Sequence, residues 1–316
     1  MYNLKPTFKS ALSVLIKMIV LVGAGYFIYS RLIENSDLNS SDILNNLKII
    51  FLKNKILFLL AISLSVFNWL LEILKWHILV NTQQIITFTS AAKQSLSALT
   101  ASMITPNRLG DYIAKSLYFE RDKTKKILAL NFVGHGFQLI TTVVFGTIGL
   151  VYLTYNYPIN ISGNIVVIGL ILGGLILIFS FKIARKGFKK GVNFYKNQSP
   201  KIFFKVSSLS VLRYLIFSHQ FYVWLLILGL NTSYLPIMMA VFSMYLLASI
   251  WPSLSLTDWL VKGSAAIYVF GFLGLSPLLV MQVSLLMWLF NFALPAVIGG
   301  IFVIQFKSAK KLVVQG

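Results

Sequence analysis

The chain has 316 residues, of which 57% are hydrophobic and only 11% are charged. A composition this apolar excludes a soluble domain and indicates a protein of the lipid bilayer. The 28 basic and 8 acidic residues give a net charge of +20, and the absence of cysteine excludes disulfides, iron–sulfur clusters and thiolate metal sites.

Six segments are long and apolar enough to cross a bilayer, which takes about 20 residues. The first follows Lys5 and Lys9 and is longer than the apolar part of a signal peptide, so it is interpreted as a retained span. Together they predict an all-α polytopic membrane protein. The six segments are 11–30, 56–80, 127–153, 165–183, 209–230 and 278–304.

The connecting segments differ in charge. Residues 182–205 carry eight basic residues and no acidic one, whereas 155–162 and 231–235 carry no charge. Basic loops remain in the cytoplasm, so we expect both termini on the cytoplasmic side. There the basic loops are expected to contact anionic lipid headgroups.

Two further apolar stretches are too short for a span and end at a proline. Residues 91–105, rich in small and hydroxyl side chains, precede Pro106, and residues 236–251 precede Pro252. A polar cluster and a second short helical run follow each proline. Irregular backbone is tolerated at membrane depth only inside protein or beside a watery cavity. Both stretches are therefore predicted to begin re-entrant helical hairpins.

The two breaks contain the same pair of charges. Asp111 and Lys115 follow the first proline, and Asp258 and Lys262 follow the second, with aspartate and lysine four residues apart in each pair. Corresponding residues lie 147 positions apart. The recurrence predicts that the halves of the chain are structural repeats.

Each predicted half contains three crossings, so the second half begins on the opposite side of the membrane from the first. The sequence thus predicts one transmembrane domain, 1–316, made of two inverted repeats, 1–160 and 161–316. Inverted repeats with broken helices are typical of secondary transporters.

The predicted binding site consists of Arg108, Asp111, Lys115, Asp258 and Lys262. An ionisable residue inside a membrane is costly enough to indicate a function. If a helix begins at the first proline, Arg108, Asp111 and Lys115 share one of its faces. The arginine has no counterpart in the second half, and its planar fork suits a phosphate. The alternative is that the Asp–Lys pairs only cap the hairpins and mark helix contacts.

Other polar residues of the spans have simpler explanations. Glu72, Lys75 and Arg213 are interpreted as side chains that reach to the membrane interface. Four further residues could line a cavity, although hydrogen bonds between helices explain them equally well. These are His135, Gln138, Gln220 and Asn291.

Motifs of catalysis and cofactor binding do not occur in the sequence. There is no glycine-rich phosphate loop and no paired-carboxylate motif, and the three histidines lie far apart. The basic residues flank apolar spans and do not form a surface with stacking aromatic residues, which argues against nucleic acid. We therefore expect no enzyme, no metal or cofactor and no nucleic-acid partner.

Three segments carry a resemblance to a known family. The segment TPNRLGDYIAKSL is similar to the proline–arginine–glycine–acidic signature of the lysylphosphatidylglycerol synthase transmembrane region, also called the flippase-like domain family. The segments WPSLSLTDWLVKGSAAIYVFGFLG and MWLFNFALPAVIGG resemble its second-half counterpart and its last span. The likeness covers nearly the whole chain. It departs at His135 and Trp288, in spans where the family often carries arginine.

The resemblance implies a protein of the bacterial inner membrane that moves aminoacylated phosphatidylglycerol, or a related polar or charged lipid, between leaflets. No segment here fits the soluble domain with which some members charge the lipid, so a stand-alone translocator without synthase activity is expected. Two other functions are compatible with the same residues. One is ion-coupled transport of a small soluble substrate, and the other is a membrane scaffold whose charged pairs serve assembly.

Overall fold

The computed structural model of the protein describes residues 54–103, 105, 108–157, 199–251 and 258–306. All regular structure in these ranges is helical, which confirms the predicted all-α class. In chain order the helices are α1 (Lys55–Val80), α2 (Phe88–Met103), α3 (Leu109–Leu117), α4 (Thr124–Asn156), α5 (Pro200–Ile227), α6 (Tyr234–Ile250), α7 (Asp258–Gly271), α8 (Pro277–Trp288), a π-helical turn (Leu289–Ala293) and α9 (Leu294–Ile304).

Four of these helices are long and apolar enough to cross a membrane: α1, α4, α5 and the continuous rod of α8, the π turn and α9. They match four of the six predicted spans. The other two, 11–30 and 165–183, lie outside the described residues, as do the prolines of both breaks, so the count of about six stays a prediction. Helix α5 begins earlier than predicted because Ser199 caps its first turn and proline suits the first helical position.

The surface of the described helices is unusually apolar, and several charged side chains are buried between them. Large apolar side chains such as Ile56 on α1, Ile148 on α4 and Val297 on α9 are exposed. Lys75 and Lys115, in contrast, are among the largest fully buried side chains. Lysine is almost never buried in soluble proteins unless it is paired. Together with the four long apolar helices, this pattern indicates a membrane protein.

Helices α1 and α5 pack side by side in opposite directions. Near the start of α1, the side-chain amide of Gln220, late in α5, donates to the Ala61 carbonyl at 3.0 Å. At the other end of α1, Val80 shares a core cluster with Val206, which lies early in α5. Helix α4 contacts both members of this pair, α8 contacts α5, and the π turn contacts α1. The α1–α5 pair is therefore the centre on which the other helices pack.

The first short helix pair consists of α2 and α3, with 16 and 9 residues. At about 1.5 Å per residue, α2 is about 24 Å long and falls short of the hydrocarbon thickness of about 30 Å. It packs on α9, where Gly299 lies against the Leu96 carbonyl. Its own partner α3 is held close by Gly110, which lies against the Ala101 carbonyl. At both contacts a Cβ atom would overlap the neighbouring backbone.

The second short helix pair consists of α6 and α7, with 17 and 14 residues. Helix α6 packs on α4, where Gly146 lies against Leu246 and Gly149 against the Met239 carbonyl. The first helix of each pair thus packs, through a glycine contact, on the long helix that follows the other pair.

The π turn is fixed by a buried polar network around Asn291. The Asn291 amide donates to Gln220 Oε1 on α5 at 2.9 Å and accepts from Asn68 on α1 at 2.9 Å. The Trp69 indole donates to the Asn291 carbonyl at 3.0 Å. The residue four positions later is Pro295, which has no backbone N–H to donate to this carbonyl. The sequence allowed Gln220 and Asn291 either to line a cavity or to form hydrogen bonds between helices. The structure contains the hydrogen bonds. The network determines where the next residue, Phe292, lies.

Candidate functional site

The tips of the two short helix pairs meet through charged side chains. Arg108 precedes α3, and its Nη2 lies 4.0 Å from Asp258 Oδ2, at the start of α7. The Nζ of Lys262, one turn further along α7, lies 2.6 Å from the same oxygen. Two cations, one from each pair, therefore share one carboxylate.

An aromatic ring lies beside both cations. The Cζ of Arg108 and the Nζ of Lys262 are each 4.8 Å from the centroid of the Phe292 ring. Such cation–π contacts are worth about 0.5–2 kcal/mol, depending on solvation. Phe292 is the sixteenth of the 28 residues from Pro277 to Ile304. The charged tips therefore lie level with the middle of a helix that can span a membrane.

Arg108 does not lie on α3, so the prediction that it shares a helix face with Asp111 and Lys115 is wrong. The helix begins one residue later, at Leu109, and Arg108 has a left-handed backbone with φ 55°. Among the described residues it is the only one other than glycine with a positive φ. A residue with a side chain adopts this conformation at a cost, and such positions concentrate at functional sites.

Asp111 and Lys115 form the predicted pair, with Lys115 Nζ 3.3 Å from Asp111 Oδ1. Two residues of α4 complete the group. Asn131 donates to Asp111 Oδ2 at 2.6 Å and accepts from Lys115 at 2.8 Å. His135 Nε2 lies 2.9 Å from the same Asp111 oxygen. The Asp111 carboxylate is therefore held on several sides.

Lys115 is enclosed behind Asp111. Its ammonium lies 4.7 Å from the centroid of the Trp76 ring, and its side chain is fully buried. His135, whose ring is 5.5 Å from that of Tyr112, is the more accessible partner of Asp111. Lys115, one of the five predicted site residues, is thus buried and bonded to groups within the protein.

A third group of charges lies between α1 and α5. Glu72 Oε2 is 2.7 Å from Lys75 Nζ and 3.0 Å from Arg213 Nη1. Arg213 also donates to Gln138 Oε1 on α4 at 3.3 Å. These side chains are paired with one another inside the protein, whereas the sequence interpretation had them extend to the membrane interface. Arg213 is the fourteenth of the 28 residues of α5.

The three groups are neighbours and form one unit. Trp76, whose ring contacts Lys115, directly follows Lys75 on α1. Gln138, which accepts from Arg213, lies one turn beyond His135 on α4. We refer to the unit as the ionic cluster, which comprises Glu72, Lys75, Arg108, Asp111, Lys115, His135, Arg213, Asp258 and Lys262.

Two contributors to the site were not found from the sequence, Asn131 and Phe292. Asn131, His135 and Gln138 follow i, i+4, i+7 spacing, which puts all three on one face of α4. This polar stripe in an otherwise apolar helix was the available signal. Phe292 carried no signal, because a phenylalanine in an apolar span is ordinarily a lipid or core contact.

The side chains of the site suit a polar or charged ligand better than a metal. Within the described ranges, no three histidine, aspartate or glutamate side chains group in a way that could hold a metal ion. Arg108 and Lys262 offer donors to an anion, and Asp258 offers an acceptor to an ammonium group.

These features define the class as an α-helical membrane protein with a cluster of charges between its helices. No protein-family model, no curated protein and no solved structure matches the chain. The family resemblance of the two breaks therefore stays a prediction, and the function is proposed from the geometry of the site.

Proposed function

We propose that the protein moves a lipid with a polar or charged headgroup from one leaflet of the membrane to the other. The observation that carries this proposal is the contact of Arg108 with the Asp258–Lys262 pair, level with the middle of a long apolar helix. Aminoacylated phosphatidylglycerol, or a related phospholipid, is the substrate that the sequence resemblance implies.

The physical task of such a protein is to shelter the headgroup. An isolated charge in hydrocarbon costs many kcal/mol, so an unaided headgroup crosses slowly. Charged side chains at mid-depth replace part of its hydration while the acyl chains remain in lipid. In this proposal Arg108 and Lys262 bind phosphate, which arginine can hold with two parallel hydrogen bonds.

The packing of the helices supports the proposal that the halves are inverted repeats. Helix α2 packs on α9, the last part of the rod that follows the second pair, and α6 packs on α4, which follows the first. Helices α1 and α5, which precede the two pairs, pack on each other. Exchanging the halves converts the α2–α9 contact into the α6–α4 contact and leaves the α1–α5 contact in place, as pseudo-twofold symmetry requires. Repeats with broken helices that meet near the midplane are typical of transporters.

The proposed location of the protein is the bacterial inner membrane. In this proposal the short helix pairs are re-entrant hairpins and both termini lie in the cytoplasm. Lys123, just before α4, donates to Gln84, just after α1, at 3.1 Å. The start of α5 lies at the same end, where Lys201 and Lys205 add positive charge. This basic end is assigned to the cytoplasm, where it would contact anionic headgroups.

The experiment compares Asp258→Asn with the unmodified protein in vesicles that carry labelled phospholipid in one leaflet. Asparagine keeps the shape of the side chain but removes the carboxylate that Arg108 and Lys262 share. We expect normal insertion and a fall of lipid translocation to the level of protein-free vesicles. Asp258 is a better target than Asp111, because Asp111 also holds the buried Lys115.

The matched control is Glu120→Gln, which removes the carboxylate of an exposed pair with Lys123, at 3.8 Å. Exposed pairs contribute little to stability, so this variant should translocate lipid normally. Unimpaired translocation by Asp258→Asn contradicts the proposal. If the unmodified protein moves no lipid, uptake of a soluble solute would favour an ion-coupled carrier, and loss of a bound partner in Asp258→Asn would favour a scaffold.

A further inference from the structure

The charges of the ionic cluster do not balance. Among the described residues, the cluster contains five lysine or arginine side chains and three carboxylates, which leaves two positive charges in excess when all five are protonated and His135 is neutral. Uncompensated charge within a membrane protein is costly. An anion that enters the cluster is therefore stabilised, and a cation is repelled.

The accessible part of the cluster is also its most basic part. The side chain of Arg108 is 41% exposed and that of Lys262 is 29% exposed. The three carboxylates are at most 12% exposed. A headgroup that reaches the site meets a guanidinium and an ammonium group, while the carboxylates are engaged behind them.

Phe292 holds these two cations close together, since each lies 4.8 Å from the same ring. Both also contact the same oxygen of Asp258. The arrangement presents two donors to one small anion, which matches a phosphate diester better than a long cationic group.

We infer that the headgroup accepted at this site carries a net negative charge, as a phosphate diester does when no ammonium group compensates it. The inference rests on the proposed function and defines its substrate class. A bound phosphate offsets part of the excess charge, whereas an aminoacylated headgroup with net positive charge adds to it. The geometry thus favours a different substrate from the one that the sequence resemblance implies.

The test uses the full chain in phosphatidylcholine vesicles with a trace of one acyl-labelled lipid. The three probes are phosphatidylglycerol, with one net negative charge, phosphatidylethanolamine, with none, and lysylphosphatidylglycerol, with one net positive charge. We expect translocation to be fastest for the first and slowest for the last, with a ratio of about tenfold or more.

The possible results separate the inference from the proposed function. Equal rates, or faster movement of lysylphosphatidylglycerol, overturn the inference and leave lipid translocation intact. Movement of none of the three lipids overturns the proposed function itself. Uptake of labelled inorganic phosphate without lipid movement does the same, since it makes a soluble anion the substrate.

Arg108→Gln and Lys262→Gln test whether the two accessible cations are the source of the selectivity between lipids. Each removes one accessible cation, so the ratio of phosphatidylglycerol to lysylphosphatidylglycerol translocation should fall by roughly threefold. Both rates come from one preparation, so the ratio does not depend on how much of the variant is folded. Arg108→Lys keeps the charge and should keep most of the ratio. Lys123→Gln removes a cation outside the cluster and should not change it; an unchanged ratio in both cluster variants overturns the inference.

Discussion

The two short helix pairs carry the same Asp-x-x-x-Lys sequence but surround it differently. In the first pair, Lys115 is 2% exposed, and polar side chains of α4 complete the bonding of Asp111. In the second pair, Lys262 is 29% exposed and shares Asp258 with an arginine from the first pair. The neighbours of a repeated motif therefore decide whether its lysine is enclosed or accessible.

The two Asp–Lys pairs differ in exposure, so a different interpretation fits each of them. An internal role at a helix contact fits Asp111 and Lys115, because both are buried and bonded within the protein. A ligand-binding role fits Asp258 and Lys262, because the lysine is accessible and lies beside Phe292. Substitution of each aspartate by asparagine distinguishes the two roles.

The largest expected effect is that of Asp111→Asn on stability. It leaves the ammonium of Lys115 buried without its carboxylate, which costs about 3–5 kcal/mol in comparable buried pairs. Asp258→Asn should cost only about 1 kcal/mol, because Arg108 and Lys262 are partly exposed and can be hydrated. Thermal unfolding in detergent should therefore give a much lower transition temperature for Asp111→Asn.

A double variant checks the reason for that difference. Lys115→Met added to Asp111→Asn removes the buried unpaired charge and should restore part of the lost stability, as coupled residues do. Equal transition temperatures for the two single Asp variants would show that the enclosed pair and the accessible pair contribute equally to stability, against this expectation.

The next largest effect is expected for Gly110→Ala, which acts on the closure of the first pair. The added Cβ would overlap the Ala101 carbonyl, which is backbone and cannot turn aside. Forced overlap of this kind costs about 1–3 kcal/mol. The transition temperature should fall, and the Asp111 group should loosen with it.

Gly136→Ala is the matched control on α4. No atom lies within 4 Å of a Cβ added there. Alanine is favoured over glycine within a helix by about 1 kcal/mol, so this variant should unfold at the same temperature or higher. A stable Gly110→Ala would contradict the close contact between α2 and α3.

Much of the fold follows from the sequence, because helices that can span a membrane must be long and apolar. The predicted segments 56–80 and 278–304 are each one residue shorter than the helix that contains them, and 127–153 lies within the longer helix α4. The early start of α5 was missed because its first turns carry Lys201 and Lys205, which interrupt the apolar run. A hydropathy pattern reports what contacts lipid and not where the hydrogen bonds of a helix begin.

The site was less predictable, since it depends on which helices are neighbours. The two Asp–Lys pairs are local, at four-residue spacing, and both were found. The contact of Arg108 with Asp258 joins residues 150 positions apart and depends on a left-handed residue at the first tip. The burial of Glu72 required the packing of α1 on α5, which no local pattern contains.

The smallest expected effect is that of Phe292→Leu, which acts on the second pair alone. Leucine fills a similar space but lacks the ring that Arg108 and Lys262 contact. Each of the two contacts is worth about 0.5–1 kcal/mol at a partly exposed site, so the loss of both should slow lipid translocation by roughly fivefold to thirtyfold. Phe292→Tyr keeps a ring and should retain most of the rate. Because Phe292 is only half-buried, neither variant should approach the instability of Asp111→Asn; a transition temperature as low as that, with translocation unchanged, would assign the ring to packing and not to the accessible cations.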